Sequence, residues 1–415
     1  MKTKKNYKFS WITFSIIFTV VLIFLSEWIQ KSGIIYFPSG FRHFLILSLF
    51  VVNWARFGNK IVNTSKYKIA IILMVSYLLV SYFFSSAPLL NYILGTGFTF
   101  LFLIVFILGT NTKSTQKIII KIFNLLLIFI FLMSIVPIAQ GIITGTNLRW
   151  LPGLFREVGA FATAMNAGTI IGLSLFIITS KKKYIYMALF FSFGILMTIL
   201  KKTIISNVFV WAFFFLYFLK SKSKFKMIFY SIAFFIFALI SFGTDIADNL
   251  NENQSYIENV GPEGHVRLGM YIASFNIAKD NFPFGSGMGT FGSLASIVNG
   301  YSEVYYEYNV SNIGSNSAQD VANGHHTLLD TYWPHIIAEL GFFGFIIFVY
   351  LWIYPTRKAF KILNSSKTHY ISGLCFYIVL TGLTITWEGF SLYTPEVPVF
   401  ILLNFGLSGL CFYHI

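Results

Sequence analysis

The chain has 415 residues, of which 56% are apolar and only 11% are charged, and its formal net charge is +15. A soluble domain carries about 25% charged residues, so this composition excludes an ordinary soluble enzyme. Runs of about 17–25 apolar residues, the length that crosses a bilayer as an α-helix, recur along the chain. The sequence therefore predicts an all-α, polytopic membrane protein.

Hydropathy predicts twelve membrane-spanning helices and one long polar loop. The helices are expected near residues 11–26, 38–54, 69–85, 89–108, 118–140, 159–179, 184–200, 203–219, 226–243, 332–354, 370–386 and 396–413. The chain thus divides into nine helices (1–243), a large extracytoplasmic loop (244–331) and three helices (332–415). The basic start leads into an apolar run without a small-residue cleavage site, so we expect the first helix to be retained.

The distribution of charge orients these helices. Lys and Arg concentrate at the N-terminus and in every second connection, which places 22 of the 30 basic residues on one side. All 15 acidic residues fall on the other side. Because basic loops stay in the cytoplasm, we expect both termini to be cytoplasmic and the long loop to lie outside. The positive charge is then a topology signal, and we expect no nucleic-acid partner.

Basic residues on the outer side oppose this rule and become candidate functional groups. Arg149 and Arg156 precede the predicted sixth helix, and Lys201 and Lys202 form a tight turn before the eighth. Each side chain can anchor to a lipid phosphate or bind an anionic substrate, and the local sequence leaves both interpretations open. The sixth helix also repeats small residues at a spacing typical of close helix packing, at Ala160, Ala164, Gly168 and Gly172.

Helical periodicity appears again in the long loop, after Arg267. Apolar side chains recur there at helical spacing, at Leu268, Tyr271, Ile272, Phe275 and Ala278. The spacing predicts a short helix that rests on the membrane surface or on the other helices, and that ends near Pro283. No strand precedes the glycine-rich run 284–291, so we expect a turn packed against another backbone, not a phosphate-binding loop.

The end of the loop holds the remaining titratable groups. His325, His326 and Asp330 precede the predicted tenth helix, and His335 and Glu339 lie four residues apart near its start. A histidine at this place can act as a general base or can be a hydrogen-bonded structural group. The spacing is not that of a zinc site, and no cysteine lies nearby, so we expect no metal.

Several segments, taken together, resemble a known family. They are Arg156-Glu-Val-Gly, Lys202-Thr203, Arg267-Leu-Gly-Met-Tyr-Ile-Ala-Ser, Asn281-Phe-Pro-Phe-Gly-Ser-Gly-Met-Gly-Thr-Phe and Ile336-Ile-Ala-Glu339-Leu-Gly341-Phe-Phe-Gly344. Their order is similar to that of the O-antigen polymerase and ligase superfamily of bacterial envelope glycan assembly, which includes capsular and exopolysaccharide polymerases. The resemblance covers residues 149–355, and the earlier helices match only in hydropathy.

The resemblance implies a metal-independent membrane glycosyltransferase of the class C type that needs no cofactor. Its donor is an oligosaccharide on undecaprenyl diphosphate, presented at the outer face of the cytoplasmic membrane. Family arginines that engage the diphosphate correspond here to Arg156 and Arg267. Lys202 stands where the hairpin commonly has an arginine, with Lys201 beside it and Arg149 as a supporting group.

The general base is not settled by the resemblance. Family ligases place a histidine where this chain has Asp330, which weakens the ligase interpretation and leaves His326, Asp330 and His325 as candidates. His335 and Glu339 are expected to support the site. Aromatic residues can stack on the sugars, and the candidates are Trp150, Tyr271 and Trp333.

Three functions are consistent with these features. The first is a polymerase that joins lipid-linked repeat units, and the second is a ligase that transfers the glycan to another acceptor. The third is a lipid-linked oligosaccharide flippase, which would keep charged groups near the bilayer midplane. Here the middle positions of the predicted helices are nearly free of charged residues, which argues against transport. A many-helix scaffold is a further class, and other glycan assembly and export proteins are possible partners in each case.

Overall fold

The computed structural model describes residues 11–31, 41–57, 65–144, 158–218, 266–298, 300–313, 316–323, 327–329, 331–390 and 401–415. Every regular element in these ranges is helical. Five helices are long and apolar enough to cross a membrane, and four shorter apolar helices accompany them. The prediction of an all-helical, multi-pass membrane protein is therefore confirmed. The number of twelve spans stays a prediction, because the ninth (226–243) lies outside the described residues.

The main helices are α1 Trp11–Lys31, α2 Phe41–Phe57, α3 Ser65–Tyr82, α4 Leu89–Thr110, α5 Gln116–Thr144, α6 Val158–Thr179, α7 Lys183–Met197, α8 Lys201–Phe218, α9 Val266–Asp280, α10 Trp333–Ser365, α11 His369–Glu388 and α12 Leu407–Phe412. A π-helical segment, Ile401–Gly406, runs directly into α12. Short helical segments between α9 and α10 are Ala295–Val298, Val304–Glu307, Val310–Asn312 and Ala318–Ala322. The helix α9 and these segments belong to the predicted polar loop.

Small residues bring α6 against α7, as their spacing predicts. A Cβ at Gly172 would lie 3.0 Å from Tyr184 O and 3.3 Å from Ala188 Cβ, and a Cβ at Gly168 would lie 2.8 Å from the Phe191 ring. A larger side chain at either glycine would push the two helices apart. Close packing makes α6 an enclosed helix, so its polar groups face other helices instead of lipid.

Helix ends that are predicted to lie on one side of the membrane meet in the structure. The end of α11 contacts the start of α8 through a hydrogen bond from Trp387 Nε1 to Lys202 O at 3.2 Å. At the opposite end, Ser114, which follows α4, lies 3.0 Å from His414 Nε2 after α12. The alternation of helix direction expected from the basic loops is consistent with both contacts.

The predicted loop helix α9 is present and ends at Asp280, but it packs with a different face. Met270, Ala273 and Ile277 are buried, and α9 packs against α10. The face expected from hydropathy stays exposed at Leu268 and Phe275. The exposed apolar face is the one that fits a membrane surface.

Candidate active site

The helix α10 is broken at Gly341, whose φ of 61° lies in the left-handed region. Helical hydrogen bonds cannot continue across the break, so the carbonyl groups just before it need other donors. The Tyr77 hydroxyl of α3 donates to Leu340 O at 2.5 Å, and Pro283 O lies 3.1 Å from the same hydroxyl. A Cβ at Gly341 would lie 2.5 Å from Pro283 O, so only glycine fits here.

The glycine-rich run of the loop supplies further donors to the break. Ser286 N–H donates to Ala338 O at 3.0 Å, and Gly287 N–H donates to Glu339 O at 3.2 Å. Gly285 has a φ of 71°, and a Cβ there would lie 2.3 Å from Ala338 O. The prediction of a turn packed against another backbone is therefore confirmed.

The side chain of Glu339 accepts hydrogen bonds from this turn. Its side chain is fully buried, and Oε1 accepts hydrogen bonds from Phe291 N–H at 2.9 Å and from the Ser293 hydroxyl at 2.7 Å. His335, one helical turn earlier in α10, is also fully buried and interacts electrostatically with Glu339. The two predicted supporting residues thus lie together inside α10, where they fix the turn against the helix break. We name this unit the Glu339 turn (Ser286, Phe291, Ser293, Glu339 and Gly341).

The loop beyond the turn is folded around a buried phenol. Gly292 N–H donates to Tyr305 Oη at 2.8 Å, and the Ser296 hydroxyl lies 2.6 Å from the same atom. Burial raises the pKa of Tyr305, so the phenol keeps its proton. Thr327 N–H donates to Asn316 Oδ1 at 3.0 Å and fixes the chain close to α10. The loop is therefore a structured cap with its own small core.

A second polar centre lies at the C-terminal end of α11. Gly389 O accepts a hydrogen bond from Tyr332 N–H at 3.0 Å, which joins α11 to the start of α10. Trp387 reaches Lys202 O, as described above, and so joins α11 to the hairpin before α8. Tyr332 also lies against His335, with ring centroids 4.8 Å apart, so the Glu339 turn is close to this end of α11.

Glu388 is the central group of this second site. It is 1% exposed, its Oε2 accepts from the Thr163 hydroxyl at 2.8 Å, and its Oε1 lies 3.5 Å from Asn166 Nδ2. Lys202 interacts electrostatically with the same carboxyl group. Sequence analysis counted Glu388 only as an outer acidic residue and missed this role. The available signal was a carboxylate followed by glycine at the outer end of an apolar helix.

The carboxyl group of Glu388 belongs to a hydrogen-bonded network that connects several helices. Asn166 Nδ2 donates to Ser206 Oγ at 2.9 Å, which joins α6 to α8. Asn207 Nδ2 donates to Asn166 Oδ1 at 3.2 Å and lies 3.3 Å from Thr169 Oγ1. Buried polar groups that satisfy one another in this way fix the relative positions of their helices. The network therefore gives Glu388 and the start of α8 a defined geometry.

Two buried hydroxyl groups, on residues adjacent in sequence to Lys202 and Tyr332, have no hydrogen-bond partner in the part of the chain that the structure describes. They are Thr203 Oγ1, next to Lys202, and Thr331 Oγ1, directly before Tyr332. We name this region the Glu388 corner (Lys202, Thr203, Thr331, Glu388 and Gly389).

The helix α9, which carries Arg267, contacts the segment that follows Glu388. Tyr271, one turn after Arg267, donates from its hydroxyl to Phe390 O at 3.1 Å. Burial raises the pKa of Tyr271 to about 12, so the phenol stays protonated and remains a donor. Arg267 is half-buried in the first turn of α9, and Lys201 and Lys202 are half-buried at the start of α8. Basic residues from two predicted motifs thus belong to elements that meet at one place.

The remaining predicted site residues are either buried away from the site or lie outside the described residues. Trp333, considered for sugar stacking, is buried against Trp352 at a ring distance of 5.5 Å, so it is not available to a sugar. Several predicted residues lie outside the described residues, namely Arg149, Trp150, Arg156, His325, His326 and Asp330. In the sequence, Arg156 stands two residues before α6, whose Thr163 binds Glu388, and Asp330 stands next to Thr331.

Comparison with known proteins does not assign the chain to a family. No protein-family model matches the chain, and no curated protein matches it. Fold and site together define the class as a multi-pass helical membrane protein. Its folded polar loop and its bundle meet near the end of α11, where the buried carboxyl group of Glu388 interacts electrostatically with Lys202.

Proposed function

We propose that the protein is a polysaccharide polymerase that joins undecaprenyl-diphosphate-linked oligosaccharide repeat units at the outer face of the bacterial cytoplasmic membrane. The observation that supports this proposal is the convergence of α8 and α9 on the Glu388 corner, since these helices carry Lys202 and Arg267. The proposal includes the predicted topology, with twelve spans, cytoplasmic termini and residues 244–331 outside.

The reaction is a class C glycosyl transfer that needs no metal and no cofactor. The bond between the donor sugar and the diphosphate breaks, and the diphosphate leaves with the bonding electron pair. A hydroxyl oxygen of the acceptor repeat unit forms the new glycosidic bond and loses its proton to a base. The activated lipid supplies the driving force, so no nucleotide is required outside the cell.

Basic side chains at the Glu388 corner suit the charge that develops on the leaving diphosphate. Fixed cationic donors stabilise such charge most strongly where water is excluded. Arg267 and Arg156 are proposed to bind the diphosphate, because a guanidinium group makes two parallel hydrogen bonds to phosphate oxygens. Lys202, with Lys201, adds positive charge, and Glu388 positions the Lys202 ammonium group beside the network of α6 and α8.

The proton acceptor is proposed from the residues that precede α10. His326 is the first candidate, followed by Asp330 and His325, since each lies in sequence close to the buried Thr331. A histidine or carboxylate within hydrogen-bond reach of the acceptor hydroxyl can take its proton. Glu388 is not proposed for this step, because Thr163 and Asn166 already donate to its oxygen atoms.

The test compares lipid-linked and surface glycans from a strain that lacks the gene with those of the wild type, on a gel. Single repeat units in place of a ladder are expected and would establish a polymerase. An intact ladder retained on the lipid carrier would instead identify a ligase. Loss of outer-leaflet repeat units would favour a flippase, and unchanged glycans would refute the proposed function.

A further inference from the structure

The two halves of α10 lie side by side. Gly341 separates residues 333–340 from residues 342–365. Nineteen positions separate Trp333 from Trp352, a distance of about 28 Å in a straight helix at ~1.5 Å per residue. The two ring centroids are instead 5.5 Å apart. The chain therefore reverses direction at Gly341, and the first half of α10 packs antiparallel to the beginning of the second half.

This reversal places the start of α10 deep in the bilayer. With 24 residues, the second half of α10 is long enough to span a bilayer on its own. Trp352 lies ten positions after Phe342, about 15 Å along the helix, which is half of the ~30 Å hydrocarbon thickness. Tyr332, directly before α10, lies against Trp352 with ring centroids 5.6 Å apart. The first half of α10 is therefore a half-helix that begins near the middle of the bilayer and ends near its surface.

The helix α9 runs beside this half-helix. Near its start, Tyr271 donates a hydrogen bond to Phe390 O at 3.1 Å, and the Phe390 ring lies 6.1 Å from the ring of Trp333. Just after its end, the ring of Phe282 lies 5.7 Å from the ring of Phe343, next to the helix break. The start of α9 is therefore level with the start of α10, and its end is level with the break. Because the break lies near the bilayer surface, α9 also extends from the middle of the bilayer towards that surface.

The charges of α9 fit this depth. No charged residue lies between Arg267 and Lys279, and the eleven residues between them extend about 16 Å at ~1.5 Å per residue. This length matches one leaflet, which contributes about half of the ~30 Å hydrocarbon thickness. Lys279 and Asp280 are exposed at the end of the helix, where the bilayer surface is expected. A helix that lies flat on a membrane has a charged face towards water, and α9 has none along this stretch.

The side of α9 that faces away from the protein is apolar. Leu268, Ile272 and Phe275 are 43%, 46% and 50% exposed, and their spacing of four and three residues puts them on one face. Exposed apolar side chains continue past the end of α9 onto α10, at Phe343 and Ile346. The second half of α10 is membrane-spanning, so its exposed apolar side chains face lipid. The apolar face of α9 is continuous with this lipid-facing surface, which identifies its partner as lipid.

We propose that α9 is inserted lengthwise into one leaflet of the bilayer, where its exposed face binds the acyl chains of ordinary phospholipids. The chain thus enters the bilayer twice as a half-helix, in α9 and in the first half of α10, before residues 342–365 span it. In the topology of the proposed function, this leaflet is the outer one, and the deep end of α9 holds Arg267 below the headgroups. That consequence rests on the proposed function, whereas the insertion of α9 does not.

The test measures the depth of fluorescent labels on α9, with the full chain in phosphatidylcholine liposomes. A bimane fluorophore is attached to Leu268→Cys or to Phe275→Cys, and both side chains are exposed, so the labels leave the core intact. The native cysteines, Cys375 and Cys411, are buried, and the wild type carried through the labelling gives the background. The quenchers are a lipid with a nitroxide near the headgroup end of its acyl chain, a lipid with a nitroxide near the methyl end, and iodide in water.

Leu268 and Phe275 are seven positions apart, so an inserted helix places their labels about 10 Å apart in depth. The Leu268 label is expected to be quenched more by the nitroxide near the methyl end, and the Phe275 label more by the nitroxide near the headgroup. Ile346→Cys, on the second half of α10, is the lipid-facing control. Gln319→Cys, exposed on the short helix Ala318–Ala322, is the water-facing control. Iodide is expected to quench the Gln319 label strongly and both α9 labels weakly.

Equal depths of the two α9 labels would overturn the proposal, because the helix would then lie flat. Strong quenching of both labels by iodide would also overturn it, since the face would then be in water. Protection of both labels from iodide and from both nitroxides would overturn it as well, because protein would then cover the face. None of these measurements involves glycans. A depth difference together with unchanged glycans would keep the insertion and refute the polymerase, and equal depths together with a lost ladder would do the reverse.

Discussion

Replacement of Glu339 by alanine tests whether the buried carboxylate holds the loop onto α10. The change removes the acceptor of two buried donors, the Phe291 N–H at 2.9 Å and the Ser293 hydroxyl at 2.7 Å. Both donors are 0% exposed, so water cannot replace the lost partner without rearrangement. Each unsatisfied buried donor costs about 1–3 kcal/mol, so Glu339→Ala is expected to lower the free energy of unfolding by about 2–6 kcal/mol.

The assay is a reversible denaturant titration of the purified protein in mixed micelles. Glu339→Gln keeps the Oε1 acceptor for both donors and replaces Oε2 with a buried amide donor. It is expected to cost about half as much as the alanine variant, because one group is left unpaired instead of two.

A second substitution makes the test independent of cavity effects. Ser293→Ala in the Glu339→Ala background removes one of the two orphaned donors, so it is expected to cost less there than in the wild type. A loss below about 1 kcal/mol for Glu339→Ala, or equal costs of Ser293→Ala in both backgrounds, would refute the reasoning.

Further predictions concern the helix break and the Glu388 corner. Tyr77→Phe is expected to lower the free energy of unfolding by about 1 kcal/mol in the same titration, because it removes a donor to the broken α10, and an unchanged value would contradict this. Glu388→Gln is expected to shorten or reduce the glycan ladder at normal protein level, because it removes the charge beside Lys202; a wild-type ladder would exclude this role. Arg156→Ala and Arg267→Ala are each expected to lower polymer formation about 100-fold or more, with Lys202→Ala milder. Wild-type chain lengths from both arginine variants would refute the proposal that these arginines bind the diphosphate. EDTA is expected to leave polymer formation unchanged, and a loss that zinc restores would overturn the metal-free mechanism.

Local sequence patterns were sufficient to predict the features that depend on local physics. The periodicity after Arg267 predicted α9. The glycine-rich run predicted a close-packed turn, and its glycines have the positive φ angles that such a turn requires. The small-residue spacing of α6 predicted close helix packing, and the structure shows that the partner is α7. Each of these depends on residues within a few positions of one another, so the information is present in a short window.

The Glu388 corner could not be predicted, because its parts are far apart in the chain. Thr163 and Glu388 are separated by 225 residues, and no window of the sequence contains both. The sequence left open whether the apolar face of α9 rests on the membrane surface or on other helices, and it did not indicate the face that packs against α10. The side chains facing α10 are Met270, Ala273 and Ile277, and their burial depends on the shape of the broken helix, which hydropathy does not contain. Hydropathy identified instead the side of α9 that stays exposed.

The two buried carboxylates, Glu339 and Glu388, have different roles. Their contacts predict different effects of substitution on stability and on polymer formation. Glu339 binds the loop turn to the break in α10, and through His335 and Tyr332 the same segment reaches Gly389 at the corner. Loss of Glu339 should therefore lower stability and polymer formation together. Glu388 lies beside Lys202, and glutamine can still accept from Thr163, so Glu388→Gln should lower polymer formation while unfolding stays near that of the wild type. If Glu339→Ala and Glu388→Gln lowered the free energy of unfolding equally, the Glu388 corner, like the Glu339 turn, would have a structural role only.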